Sequence, residues 1–415
     1  MDERLQPPSA MPRPNLLGCQ LDEGRLLVVQ HLARGSFGAI YRVLDYEDEQ
    51  EYALKVIFPA EETDGASRDT QLGALLEVAA HTVAAQHGHP GVLKLLRTFI
   101  EPTHGAVCIV LEYCEGGSLF GAVSQGAFWA DADRVRAALL QILDALIHCH
   151  EQGVAHRDVK PENILLVVDH QRIVLADFGL ASVDAQTCSS FGAGSKPFQS
   201  PECSGSEQED AHGYDPYAAD VWAFGIVFCF ILTGICPWDY AHPSDKHFAE
   251  YLRDPNFLFT HLPLTRPAAE LLAEILEPSP CDRITLPEVR AAVAKMDRFV
   301  LNVDELDDAS SSARDILLAH GRRVLATRFH HSEPSESYEE SPERLERPSC
   351  PSPLWENDSV PSWPSSPAPT TPCNGQGFDS SALPLKHADS LYEERKRPPV
   401  AGISYLDNAR PIAWF

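Results

Sequence analysis

The sequence predicts an α+β chain, with short strands in its first part and mostly helices after them. Three observations lead there. Apolar runs at Leu26 to Leu32, Ala39 to Leu44 and Glu51 to Ile57 read as strands, and the first two flank a tight turn at Gly35-Ser36-Phe37-Gly38. The segment Asp69 to Gln86 carries Leu72, Leu75, Leu76, Ala79 and Val83 at close to the helical period. Val221 to Leu232 is a continuous apolar run, too short for the about 20 residues of a bilayer crossing, and therefore reads as a buried central helix.

The remaining elements follow in order. Glycines at 35 and 38 let backbone amides approach a ligand closely, because no Cβ intervenes and unusual φ values cost little. Val107 to Leu111 is an apolar strand leading into Glu112-Tyr113-Cys114-Glu115-Gly116-Gly117. A helical pattern then precedes His156-Arg157-Asp158-Val159-Lys160-Pro161-Glu162-Asn163. After it come an apolar run from Ile164 to Val168, a polar turn at Asp169 to Arg172, and a second apolar run from Ile173 to Ala176 that ends at Asp177-Phe178-Gly179. Helix, loop, hairpin and aspartate follow one another.

These two motifs carry the chemistry. A phosphoryl group in transfer spreads negative charge over its oxygens, so catalysis is mainly positioning plus cationic stabilisation. Asp158 has the spacing of a base that accepts a hydroxyl proton, and Asn163 and Asp177 can hold Mg²⁺ against nucleotide phosphates. Asp-Phe-Gly alone carries little information. The eight-residue run in its helix and hairpin setting carries much more.

Together these motifs resemble the eukaryotic protein kinase family over roughly residues 20 to 300. The resemblance implies a two-lobed fold: a small antiparallel β lobe with one helix over about 20–111, a hinge at 112–117, and a larger, mostly α lobe over 118–300, with Mg-ATP in the cleft. It makes Asp158 the base and Asn163 and Asp177 the Mg²⁺ ligands. Lys160 points to the Ser/Thr-directed branch and steadies the migrating charge, and Lys55 on the third strand meets the α and β phosphates. Glu77 would hold Lys55, with Glu61 and Glu62 as competitors if the register differs. The glycine-loop pattern reads Ala33-Arg34-Gly35-Ser36-Phe37-Gly38, with its first glycine replaced by Ala33, and Ile40 joins the same nucleotide-binding set. Ala53 and Leu165 would sandwich the adenine, Leu111 would back it, and main-chain groups of Glu112 and Cys114 would bond it.

Further motifs bear on substrate and regulation. Gly194-Ser195-Lys196-Pro197-Phe198-Gln199-Ser200-Pro201-Glu202 resembles the substrate-facing end of an activation segment, with Ser195 near Asp158 and Lys160. By the same resemblance Glu202 pairs with Arg283, and Asp220 caps the catalytic loop. Arg157 is placed to receive a phosphate, with Thr187, Ser189 and Ser190 as candidate acceptors for an upstream activating kinase. Glu162 is a possible arginine partner, although Phe230 stands where arginine-directed relatives often carry a second acid. The catalytic loop, Ser190-Phe191-Gly192-Ala193-Gly194-Ser195 and Ser200-Pro201-Glu202-Cys203 are similar to fungal Ser/Thr kinases of the meiosis-repressing and nutrient-response type.

Composition agrees. At 415 residues, 44% hydrophobic and 22% charged, the chain can bury a large core. A formal net charge of -27 argues against nucleic-acid binding through a broad basic surface. Eleven cysteines lack the paired spacing of a zinc site or a disulfide scaffold, and the first thirty residues lack a secretory apolar segment. A cytoplasmic or nuclear protein without membrane insertion is expected. Residues 1–19 and 331–415 are expected to be disordered, the latter Pro- and Ser-rich with Ser-Pro and Thr-Pro sites. Between them and the kinase domain, 301–330 holds a possible helical extension over Asp307 to Phe329 that Gly321 would interrupt.

Two other functions remain open on sequence. The altered glycine loop fits a nucleotide-binding scaffold, and a purely structural interaction protein would bind no Mg-nucleotide. Retention of Lys55, Glu77, Asp158, Asn163 and Asp177 favours the enzyme, whose partners would be protein substrates with Ser/Thr acceptors.

Overall fold

The computed structural model describes residues 14–34, 38–59, 66–167, 171–204, 213–302, 304–306 and 308–330. The small lobe is a six-stranded antiparallel sheet of β1 (Gln20–Leu21), β2 (Leu26–Arg34), β3 (Ala39–Asp45), β4 (Glu51–Ile57), β5 (Leu95–Glu101) and β6 (Ala106–Glu112), in the order β1-β2-β3-β4-β6-β5. Its inner face alternates as a half-buried strand should. Ala39, Tyr41 and Val43 of β3 turn into a core with Leu26, Val28, Leu54, Val56, Cys108 and Val110. Leu16 also packs there, so the described lobe begins before residue 20, within the expected 1–19 tail, of which residues 1–13 lie outside the described residues.

Helix α1 (Ala66–Ala84) lies where the apolar spacing put it, but its stripe faces the other way. Leu72, Leu75 and Leu76 are 56%, 61% and 59% exposed, and the buried face is Ala74, Glu77, Ala80, His81 and Ala84. The reason is steric and electrostatic. That face carries the partner of Lys55 and packs small residues against the protein, which the leucines would not fit.

The large lobe begins with α2 (Leu119–Ser124) and α3 (Ala132–Glu151), capped by Ser118 and Asp131 through their side chains. The catalytic loop runs from β7 (Val154–Ala155) to β8 (Ile164–Val167), which pairs antiparallel with β9 (Arg172–Leu175), while β10 (Ser182–Val183) pairs with β7. A short α4 (Pro201–Ser204) precedes α5 (Pro216–Thr233). Asp215 caps α5, proline occupies its first turn, and Gly234 at φ 71° ends it in the left-handed conformation. This 18-residue helix is long and apolar enough to span a membrane, yet it is almost wholly buried as the axis of the lobe. Helices α6 (Lys246–Tyr251), α7 (Phe257–His261), α8 (Arg266–Ile275) and α9 (Leu286–Val293) surround it.

The last described element is α10 (Ser311–His330), a continuous helix that passes through Gly321. A Cβ at Gly321 would lie 3.1 Å from Trp129 Cζ2, so the glycine permits close packing where an interruption was expected. The Ser-Pro and Thr-Pro sites of the tail lie outside the described residues.

Candidate active site

Residues far apart in the chain converge between the lobes. In β4, Lys55 stands opposite Ile40 of β3 and Ile109 of β6. Its Nζ donates to Glu77 Oε1 at 2.6 Å and to Asp177 Oδ1 at 2.7 Å. Glu61 and Glu62, the competing partners, lie outside the described residues. Burial works against the Lys55 charge, but Asp177 and Glu77 outweigh it and hold the ammonium above its ordinary pKa. Burial also opposes ionisation of Asp177, and Lys55 overrides that and holds the carboxyl below its usual range. The Asp177 side chain remains 45% exposed and can reach a ligand.

Asp177 and Arg157 both have φ of 65°, a left-handed backbone that costs about 1 to 3 kcal/mol and recurs at functional sites. Around Asp177 the fit is set by the two residues that follow it. Phe178 is buried between the rings of His81 and His156, at centroid distances of 4.7 and 5.0 Å. Gly179 is small for a reason, since a Cβ there would sit 3.3 Å from both Asp177 Oδ1 and Glu77 Oε2.

The second cluster is built on the catalytic loop. Asp158 Oδ2 accepts from Lys160 Nζ at 2.6 Å and from Asn163 Nδ2 at 2.9 Å. Its Oδ1 accepts from the backbone N–H and the hydroxyl of Ser195 at 3.1 and 3.2 Å, and Lys160 Nζ donates to Ser195 Oγ at 3.0 Å. Asp220, from the buried α5, accepts the backbone N–H groups of His156 and Arg157 at 2.7 and 2.8 Å and also meets His150 Nε2 at 2.9 Å. The two clusters are joined. His156 Nε2 lies 3.0 Å from the Ala176 carbonyl, and the Ala176 N–H donates to the Asn163 carbonyl at 2.8 Å.

The residues expected on the adenine side also come together: Ala53, Leu111, Cys114 and Leu165 belong to one apolar cluster. Glu112 directs its carboxylate to Arg172 and donates its N–H to the Lys94 carbonyl at 3.1 Å. Ala33 pairs with Ile40 across the β2–β3 ladder, whereas Gly35, Ser36 and Phe37 lie outside the described residues. At Gly38 a Cβ would fall 2.2 Å from the Val56 carbonyl oxygen, so only glycine fits where the loop returns to β4.

Elsewhere, Arg283 bonds Glu202 bidentately at 2.7 and 3.0 Å and is fully buried over Trp222. Phe230 is 1% exposed and stacked on Phe120, so it faces the core and not a substrate. Sequence reasoning missed His81 and His150. His81 lies four residues after Glu77 on the same helix face, a spacing that could have flagged it. Nothing local ties His150 to Asp220.

A lysine–carboxylate cluster and an aspartate–lysine–asparagine cluster, joined through Ala176 between two lobes, define the architecture of a phosphotransferase. Residues 26–293 match the protein kinase domain. The chain is 31% identical over 300 residues to the "Negative regulator of sexual conjugation and meiosis" of Schizosaccharomyces pombe, covering 68% of this chain and 62% of that protein. It is 33% identical over 227 residues to the "Serine/threonine-protein kinase ksp1" of the same yeast, covering 53% and 47%, and 37% identical over 196 residues to KSP1 of Saccharomyces cerevisiae, covering 46% and 18%. The chain thus spans less than two thirds of the length of these relatives. It belongs to the protein kinase family.

Proposed function

We propose that the chain is a protein serine/threonine kinase that transfers the γ-phosphoryl group of Mg-ATP to Ser or Thr hydroxyls of protein substrates in intracellular signalling. The observation that carries this is the Asp158 carboxylate, held by Lys160 and Asn163 and facing a hydroxyl. Asp158 would accept the proton of the attacking hydroxyl, and Lys160 would offset charge on the migrating group. The Ser195 hydroxyl, which donates to Asp158 and accepts from Lys160, supports the reading. Lys55, steadied by Glu77, would bind the α and β phosphates.

The donor set fits Mg²⁺, which takes one or two protein oxygens and completes its shell with phosphates and water. Asn163 donates its amide N–H groups to Asp158, leaving Oδ1 as an acceptor, and the Asp177 carboxylate is part-exposed one residue after Ala176, whose N–H meets the Asn163 carbonyl. Bound there, Mg²⁺ would neutralise phosphate charge. The adenine would lie between Ala53 and Leu165.

Arg157 donates to three neutral oxygens, the Leu180 and Ser190 carbonyls and the Tyr214 hydroxyl, at 3.1, 3.4 and 3.1 Å. A phosphate placed on Ser189 or Ser190 by an upstream kinase would replace these with charge-assisted bonds. Unchanged activity in the double alanine variant would remove that step. The reading also expects a cytoplasmic or nuclear location.

The test is labelled phosphate transfer from Mg-ATP to a generic basic protein. Asp158→Ala should lower the rate by about 10² to 10⁴-fold. Equal incorporation by both proteins would end the enzyme reading.

A further inference from the structure

A short stretch of chain touches the place where an accepting hydroxyl would sit. Ser195 meets Asp158 Oδ1 through its backbone N–H and its hydroxyl at 3.1 and 3.2 Å, and its Oγ accepts from Lys160 at 3.0 Å. One residue earlier, a Cβ on Gly194 would lie 2.7 Å from the Arg157 carbonyl oxygen and 3.4 Å from Asp158 Oδ1. Residues 194 and 195 therefore form a wall of the acceptor site, and the side chain that follows them borders the peptide carrying the acceptor. That residue is Lys196.

Lys196 stands on a stiff turn. Before it, Ser195 is fixed by Asp158. After it, the ring of Pro197 locks φ, and Phe198 is buried in the large-lobe core and donates its N–H to the Ser195 carbonyl at 2.9 Å. Gln199 Nε2 then donates to the Gly192 and Gly194 carbonyls at 2.8 and 2.9 Å, which ties the end of the turn back to its start. With both flanks held, the Lys196 backbone stays beside the acceptor site.

The Lys196 side chain is exposed, and its charge is isolated. Among the described residues the ion-paired lysines are Lys55 and Lys160, and Lys196 has no such partner. It is also the one basic residue in the sequence from Asp177 to Ser204. The net charge of -27 disfavours acidic peptides at long range. Charges farther apart than about 8 Å are largely screened at physiological salt, so the cation next to the acceptor sets the local preference. Consecutive Cα atoms lie about 3.8 Å apart and an extended peptide advances about 3.3 Å per residue. A lysine one residue from Ser195 thus meets the acceptor's near neighbours and not residues far along the peptide.

We propose that Lys196 selects substrates that carry an aspartate or glutamate within two residues of the accepting Ser or Thr. This rests on the phosphotransfer reading and adds the substrate class to it. The test uses serine peptides of one length and one net charge, each with a single aspartate either at one of the four positions nearest the acceptor or five residues away. With the full chain and Mg-ATP, the best near-aspartate peptide should exceed the distant one about three- to fivefold in kcat/KM, the size of an exposed ion pair. That ratio should shrink toward one as salt rises from about 0.05 to about 0.5 M. Lys196→Met should bring it to about one. Lys196→Glu should instead favour near arginine over distant arginine in the matching peptides, a gain that a poorly folded variant could not show. Phosphorylation of no peptide would end the enzyme reading and this inference with it. Phosphorylation with a wild-type ratio near one, or with a ratio that both Lys196 variants leave unchanged, overturns this inference alone.

Discussion

His81 is a buried histidine whose titration can be followed through the stability of the whole fold. It is 2% exposed, its Nε2 lies 2.7 Å from the Leu93 carbonyl, and its ring stacks on Phe178. Burial lowers its pKa from 6.5 to about 4; Lys55 and His156 push the same way, and the Leu93 bond and Asp177 push back. In the unfolded chain the ring titrates near the ordinary value. Between these two values the unfolded state binds more protons, so stability is full above pH 6.5 and falls as pH drops toward 4. At about 1.36 kcal/mol per unit, the full difference is about 3 kcal/mol, of which roughly 1 kcal/mol is lost by pH 5.5. His81→Leu removes the titration. It should be less stable than wild type at pH 7.5, because the Leu93 carbonyl loses its partner, and the gap should narrow by roughly 1 kcal/mol at pH 5.5. Urea unfolding of both proteins at the two pH values measures it, and the difference between them cancels every other titrating group. Parallel pH profiles would show that His81 protonates freely in the fold and would refute the buried stack.

Three further outcomes follow from burial and contact. Glu202→Ala leaves Arg283 buried without its carboxylate and should cost about 3 to 5 kcal/mol, whereas Asp144→Ala at the exposed Arg290 pair should cost under about 1 kcal/mol. Equal shifts in melting temperature would contradict the contrast. Leu75→Gln and Leu76→Gln should each change stability by no more than about 0.5 kcal/mol, because both side chains already face water; a loss of about 2 kcal/mol on chemical denaturation would mean that the stripe is core. Gly38→Ala places a methyl against the Val56 carbonyl and should weaken binding of a non-hydrolysable ATP analogue several-fold, with unaltered affinity as the contrary result.

The parts of the site legible in the sequence are those in which chemistry and spacing lie in one run. His156 to Asn163 and Asp177 to Gly179 are short enough that a turn and a hairpin fix their geometry, and Lys55 reads from an alternating strand. What crosses between elements was less legible. The period of α1 was clear, but which side faced inward depended on Lys55 and the space beneath the helix, so three leucines read as an apolar stripe are outside. Strand β5 escaped notice because it lies at the sheet edge with Leu96, Thr98 and Ile100 turned to water, which leaves a mixed pattern without clean alternation. Gly321 was a misleading stop signal, since its role is contact with Trp129, a residue 192 positions away in the turn before α3.

The precision of the site rests on where its strain is held. Arg157 and Asp177 each adopt a left-handed backbone that a side chain disfavours; the first precedes the proposed base and the second is itself a proposed Mg²⁺ ligand. Neither conformation would persist unless the surroundings determined it more strongly than local sterics. For Arg157 the restraint is Asp220, fixed on the most deeply buried helix of the lobe and accepting two consecutive backbone N–H groups. For Asp177 it is Lys55 on one side and the His81–Phe178–His156 stack on the other. The first restraint belongs to the large lobe alone. The second needs β4 and α1 of the small lobe in register with it, so a shift of α1 that separated Glu77 from Lys55 would also slide His81 off Phe178 and free Asp177 to relax. The catalytic loop is therefore built to stay, while the proposed Mg²⁺-binding aspartate is held only as long as the lobes agree.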